Sequence, residues 1–109
     1  MRIAWIPCYH VSVIGSFKDQ ATEDVFNGLN TRRARNACPR QLWRLAYRKL
    51  DQLDSVVRLE ELEVPPGNRL ERLSGDRKDQ YSIRINQQYR ICFRWGDNGP
   101  FEVEITDYH

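Results

Sequence analysis

The stretch Tyr81–His109, YSIRINQQYRICFRWGDNGPFEVEITDYH, decides how this chain folds. Tyr81, Ile83 and Ile85 alternate with Ser82, Arg84 and Asn86, and Tyr89, Ile91, Phe93 and Trp95 alternate with Arg90, Cys92 and Arg94. Phe101, Val103 and Ile105 alternate with Glu102, Glu104 and Thr106. A period of two marks strands with one face in the core and one in water. The first two runs meet across Gln87 and the next pair across GDNG at Gly96–Gly99, both suited to hairpins. An antiparallel sheet therefore fills the C-terminal half.

Upstream of it the period lengthens from strand-like to helix-like. PPGN at Pro65–Asn68 reads as a turn, and Arg69–Leu73 as a strand closed by Gly75-Asp76. Val56–Leu62 is ambiguous and fits a short helical turn. Leu42, Leu45, Ala46, Leu50 and Leu53 recur at three- and four-residue spacing, predicting a long helix that starts near Pro39. Arg40, Arg44 and Arg48 line up on another face of that helix. A shorter helix is predicted from Asp19, its N-cap, to Asn27, with Gly28 and Asn30 ending it. A first strand is expected near Val13–Phe17. The sum is a small α+β domain: two N-terminal helices packed on one face of a mainly antiparallel sheet.

The chain's 109 residues suit one domain, since domains most often run to about 100–150. At 40% hydrophobic and 29% charged, the composition is that of a globular protein. No apolar run approaches the roughly 20 residues that span a bilayer, so no membrane partner is expected. The opening MRIAWIPCYHVSV, interrupted by Pro7 and His10, makes a poor signal peptide. Cys8, Cys38 and Cys92 are widely spaced, without a CxxC or Cys/His cluster. That pattern argues against a metal site and for reduced thiols in a cytoplasmic protein, with no cofactor expected.

Charge is segregated along the chain. Thr31–Leu50 holds seven Lys/Arg and no acid, whereas Asp51–Glu63 holds five acids and one base. Arg69–Arg94 has seven bases against three acids, and Trp95–His109 has four acids and no Lys/Arg. Such blocks fit a positive surface for a polyanion, or simply solvated helix and strand faces. Alternation puts Arg84, Arg90 and Arg94 together on the wet face of two neighbouring strands. Glu102 and Glu104 on the adjoining strand allow a cross-strand ladder of ion pairs. The other reading is a phosphate-binding surface, because guanidinium matches phosphate in a bidentate fork.

The tail Asp107-Tyr108-His109 carries three groups able to hold or share a proton. A histidine near neutral pKa can protonate a leaving alkoxide, an aspartate can accept or orient a proton, and arginines can stabilise charge on phosphorus. This inventory suits RNA cleavage by its own 2′-hydroxyl. Taken alone it is a weak signal, since a lone His is more often structural.

Three stretches together resemble the HigB branch of the RelE-type bacterial toxins, the plasmid maintenance killer proteins. They are IGSFKDQATEDVF at Ile14–Phe26, VPPGNRLERLSGDRKDQYSIRINQQYRICFRW at Val64–Trp95, and VEITDYH at Val103–His109. The resemblance implies a RelE-like ribonuclease-toxin fold over residues 13–109. Met1–Ser12 has no counterpart, so it is expected to be an extension, either disordered or the result of a misassigned start at Val13. The implied activity is metal-independent, ribosome-dependent cleavage of mRNA in the A site, which blocks translation. The implied partners are a helix-turn-helix antitoxin of HigA type, in a heterotetramer by analogy, together with mRNA and 16S rRNA.

By position, Arg90, Asp107, Tyr108 and His109 match the family's catalytic residues. Arg77, Lys78, Arg84, Arg94, Arg44 and Arg48 are candidate RNA phosphate contacts. Some members carry a His and a Lys shortly before the GDR segment, where this chain has Glu71 and Ser74. Glu71 is then either an auxiliary base or a surface carboxylate. Two alternatives stay open: a noncatalytic ribosome- or RNA-binding inhibitor, and a corepressor that acts with its antitoxin.

Overall fold

A computed structural model describes residues 13–107 of the chain. Expectations for Met1–Ser12, Tyr108 and His109 lie outside the described residues. The elements, in order, are α1 (Gln20–Phe26), α2 (Arg32–Ala37), α3 (Trp43–Leu53), β1 (Glu71–Arg72), β2 (Gln80–Arg84), β3 (Tyr89–Gly96) and β4 (Gly99–Asp107). Single 3-10 turns occupy Arg40–Leu42, Leu59–Glu63, Pro66–Asn68 and Gly75–Arg77. The four strands form one antiparallel sheet in the order β1-β2-β3-β4.

Three helices stand where two were expected. Asp19 caps α1 by accepting from the Thr22 amide at 2.8 Å. The unforeseen α2 is capped by Thr31, whose hydroxyl accepts from the Ala34 amide at 3.2 Å. Its sequence, RRARNA, buries only Ala34, so it carries no apolar stripe to betray it. The Asp24 carboxylate joins α1 to α2, accepting from Gln20, the Thr31 hydroxyl and Arg33 Nε. The helix expected from Pro39 begins instead as the 3-10 turn at Arg40–Leu42 and becomes α-helical at Trp43.

Two predicted strands shrink. Val13–Phe17 supplies a single parallel bridge, Phe17 to Val103, on the outer edge of β4. Glu102, at φ 52, puts a bulge there and turns the edge away from regular pairing. Arg69–Leu73 pairs only at Glu71 and Arg72, because the left-handed Arg69 (φ 46) and Gly75 (φ 66) bracket it.

The core is one cluster. Val25, Ala34, Trp43, Ala46, Leu50 and Leu53 from the helices join Ile83, Ile91, Phe93, Val103 and Ile105 from the sheet. Leu50, Leu53, Ile83, Ile91 and Phe93 are fully buried, each contributing about 1.5–3 kcal/mol of transfer free energy. The Ile105 amide donates to the Thr22 hydroxyl at 2.9 Å and ties α1 to β4. Among the described residues no helix is long and apolar enough to cross a membrane.

Candidate functional site

With one sheet face committed to the core, the other carries the polar partners of the same strands. Register pairs Arg84 with Arg90 and Arg90 with Thr106, while Ser82 faces Cys92 and Cys92 faces Glu104. Glu71 on β1 lies opposite Ser82 and extends the row to the sheet edge. The structure therefore brings Glu71, Arg84 and Arg90 together.

Arg90 is held firmly. It is only 9% exposed, its Nε donates to Ser82 Oγ at 2.8 Å, and its Nη2 donates to the Arg69 carbonyl at 2.7 Å. The carboxylate of Glu71 lies 3.8 Å from the same Nη2. Two fixed acceptors orient the guanidinium, and Glu71 is exposed, so that pair is weak. Sequence reasoning missed Ser82 and the Arg69 carbonyl. Ser82 sits diagonally from Arg90, within reach of a long side chain, and strand register could have revealed it. A backbone carbonyl leaves no trace in the sequence.

The expected ion-pair ladder forms in part. Arg94 Nε meets Glu102 at 2.8 Å. Arg77 meets Glu104 at 2.8 Å, with Lys18 3.5 Å from the same oxygen, and Arg77 also donates to Gln80 at 3.1 Å. The side chain of Arg84, half-buried, has no hydrogen bond or ion pair among the described residues, and neither does that of the exposed Lys78. Carboxylates therefore neutralise the margins of the face, and Arg84 keeps a guanidinium without an ion-pair partner among the described residues.

The remaining candidates lie elsewhere. Asp107 pairs with Tyr89, on the helix-facing side of the sheet and opposite to Arg84 and Arg90. Gln88 Nε2 donates to both its carboxylate oxygens at 3.2 Å. Burial pushes the Tyr89 hydroxyl pKa up, and the nearby Asp107 and Cys38 add to the shift. Arg44 and Arg48 are exposed on α3, across the core from the sheet arginines.

Neither described thiol is suited to nucleophilic work. Burial pushes Cys38 up to about 11, and burial likewise raises Cys92, which stays a buried thiol despite Arg77 and Arg90 nearby. Among the described residues no group of three His, Cys, Asp or Glu side chains is placed to hold a metal ion.

Comparison with known proteins bears on this arrangement. A family model described as RelE-like toxin of type II toxin-antitoxin system HigB matches residues 15–109. Toxin HigB-1 of Vibrio cholerae serotype O1 is 38% identical over 81 residues, spanning 74% of this chain and 82% of that protein. An uncharacterised Haemophilus influenzae protein is 37% identical over 60 residues, 55% of this chain and 59% of its own length. A chain of the solved YoeB-YefM complex from Staphylococcus aureus aligns with a TM-score of 0.50 and covers 88% of this chain and 94% of that one. At 21% identity that likeness is one of fold alone. With the family match running from Gly15 to the last residue, this chain belongs to the HigB-like family of RelE-like toxins of type II toxin–antitoxin systems.

Proposed function

We propose that this toxin is a ribosome-dependent endoribonuclease that cuts mRNA in the A site and so stops translation. The single observation that carries the reading is Arg84: a guanidinium without an ion-pair partner among the described residues, directly opposite the rigidly held Arg90, on a face where Arg77 and Arg94 meet carboxylates. Two like charges across a strand pair are destabilising, and a phosphate between them relieves the repulsion. Family membership supports the same chemistry.

In the proposed reaction the 2′-oxygen forms a bond to phosphorus while the bond from phosphorus to the 5′-oxygen breaks. The proton leaving the 2′-hydroxyl passes to a base, for which exposed Glu71 beside Arg90 is a candidate. The departing 5′-oxygen takes a proton from His109, and the two arginines stabilise charge on the pentacoordinate phosphorus. Arg77, Lys78 and Arg94 flank this point and suit neighbouring phosphates, while Tyr108 stacks on a base. Asp107, tied to Gln88, secures the end of β4 from which Tyr108 and His109 continue. The partners are mRNA, the ribosome and a cognate helix-turn-helix antitoxin that neutralises the toxin.

Mapping mRNA 5′ ends after induction tests the reading. Wild type should generate new ends within translated codons, and Arg84→Ala and His109→Ala should lose them while remaining folded. Translation block by wild type without new ends would replace cleavage with noncatalytic binding.

A further inference from the structure

The side of the domain remote from the sheet arginines carries a second charged surface, built differently. A groove of about 440 Å³ runs between α1 and α3, with Val25, Phe26, Trp43, Arg44 and Tyr47 among its lining residues. Tyr47 is 46% exposed, and Leu29, just beyond the α1 end of the groove, is 50% exposed. Large apolar side chains exposed this far beside a concave wall mark a surface that docks something.

Charge narrows the occupant. Arg40, Arg44 and Arg48 recur every four residues: Arg44 lines the groove, Arg40 lies against its Trp43 wall, Arg48 follows one turn along α3, and none forms an ion pair among the described residues. No acid occurs anywhere from Thr31 to Leu50. The row matches carboxylates placed one turn apart on a facing helix, whose apolar stripe would fill the groove. RNA fits less well, because single-stranded bases need open aromatic planes. Here Tyr47 already stacks on Phe26, with ring centroids 5.8 Å apart, and the Arg40 guanidinium lies 5.0 Å from the Trp43 ring centre.

We infer that the α1–α3 groove and its arginine row form the docking site for an acidic, amphipathic helical segment of the antitoxin. The inference rests on membership of a toxin–antitoxin family and not on RNA cleavage. Docking there leaves the sheet face with Arg84 and Arg90 on the other side of the molecule.

The test measures affinity of the full-length chain for purified cognate antitoxin, without ribosomes, so that failure of the cleavage reading cannot affect it. The double variant Arg44→Glu/Arg48→Glu changes exposed residues that form no ion pair among the described residues, and circular dichroism verifies its fold. It should bind at least about tenfold more weakly, as hot-spot losses do. Leu29→Asp should also weaken binding, and Arg84→Glu on the sheet should stay within about twofold of wild type. Wild-type affinity in the double variant would overturn the proposal. So would an equal loss in Arg84→Glu, which would reveal only general electrostatic attraction. Weaker ribosome binding by the double variant, with antitoxin affinity intact, would reassign the surface to RNA.

Discussion

Arg84 on β2 stands directly opposite Arg90 on β3, yet only Arg90 has partners for its guanidinium among the described residues. Adjacent cations on one sheet face raise the free energy of the fold unless something offsets them. For Arg90 the offset comes from Ser82, the Arg69 carbonyl and the nearby Glu71. Arg84 has no such help, which makes it the position where an incoming anion gains most.

The two arginines should separate by assay. Arg90→Ala leaves the buried Ser82 hydroxyl and the Arg69 carbonyl without their donor, so it should cost about 1–3 kcal/mol in urea unfolding. Arg84→Ala removes no side-chain hydrogen bond or ion pair among the described residues and should change stability by no more than about 0.5 kcal/mol, while lowering RNA cleavage sharply. Equal stability losses in the two variants would contradict this division of roles.

Asp54 anchors the start of the described chain. Its buried carboxylate accepts from the Val13 and Ile14 amides, each at 2.8 Å. Asp54→Ala should leave buried donors unsatisfied and cost about 1–3 kcal/mol, read as a lower denaturation midpoint at unchanged slope. Asp54→Asn keeps an acceptor oxygen and should cost less.

Acid should weaken the α1–α2 junction through Asp24. Hydrogen bonds from Arg33, then from Gln20 and Thr31, hold its carboxyl down at about 2, against an ordinary 3.8. A depressed folded-state pKa gives stability that is present above the unfolded value and is lost as pH falls toward the folded one. Thermal melts should therefore show a loss between about pH 4 and pH 2 that Asp24→Asn reduces. An unchanged acid profile in Asp24→Asn would mean other carboxylates dominate.

Legibility in the sequence followed physical periodicity. β2, β3 and β4 were readable because Ile83, Ile91, Phe93, Val103 and Ile105 alternate with polar residues, and α3 because Ala46, Leu50 and Leu53 repeat at helical spacing. The helix α2 was hidden because burying Ala34 alone needs no pattern. The early strand failed at Glu102, where a left-handed residue interrupts the edge in a way composition does not announce. At the site, alternation placed Arg84 and Arg90 on one face correctly. It could not show that Arg90 is clamped while Arg84 is open, since the clamp includes a carbonyl set by the backbone of Arg69. Asp107 joins the candidate residues through the resemblance of the C-terminal stretch, and its register opposite Tyr89 puts it on the other face of the sheet.

The two ends of the chain should differ in their tolerance of change. β4 remains in register to its end, with Thr106 opposite Arg90 and Asp107 opposite Tyr89, so Tyr108 and His109 continue directly from a strand bordering the arginine face. A tag fused after His109, or deletion of His109 alone, should abolish growth inhibition with little change in melting temperature. Removing Met1–Ser12 keeps Val13 and Ile14, whose amide nitrogens bind Asp54, and should leave inhibition largely intact. Growth curves after induction, paired with thermal melts of the purified variants, measure both. Full toxicity in the chain tagged after His109 would show that the proton-transfer group lies elsewhere, with Glu71 beside Arg90 the first residue to substitute next.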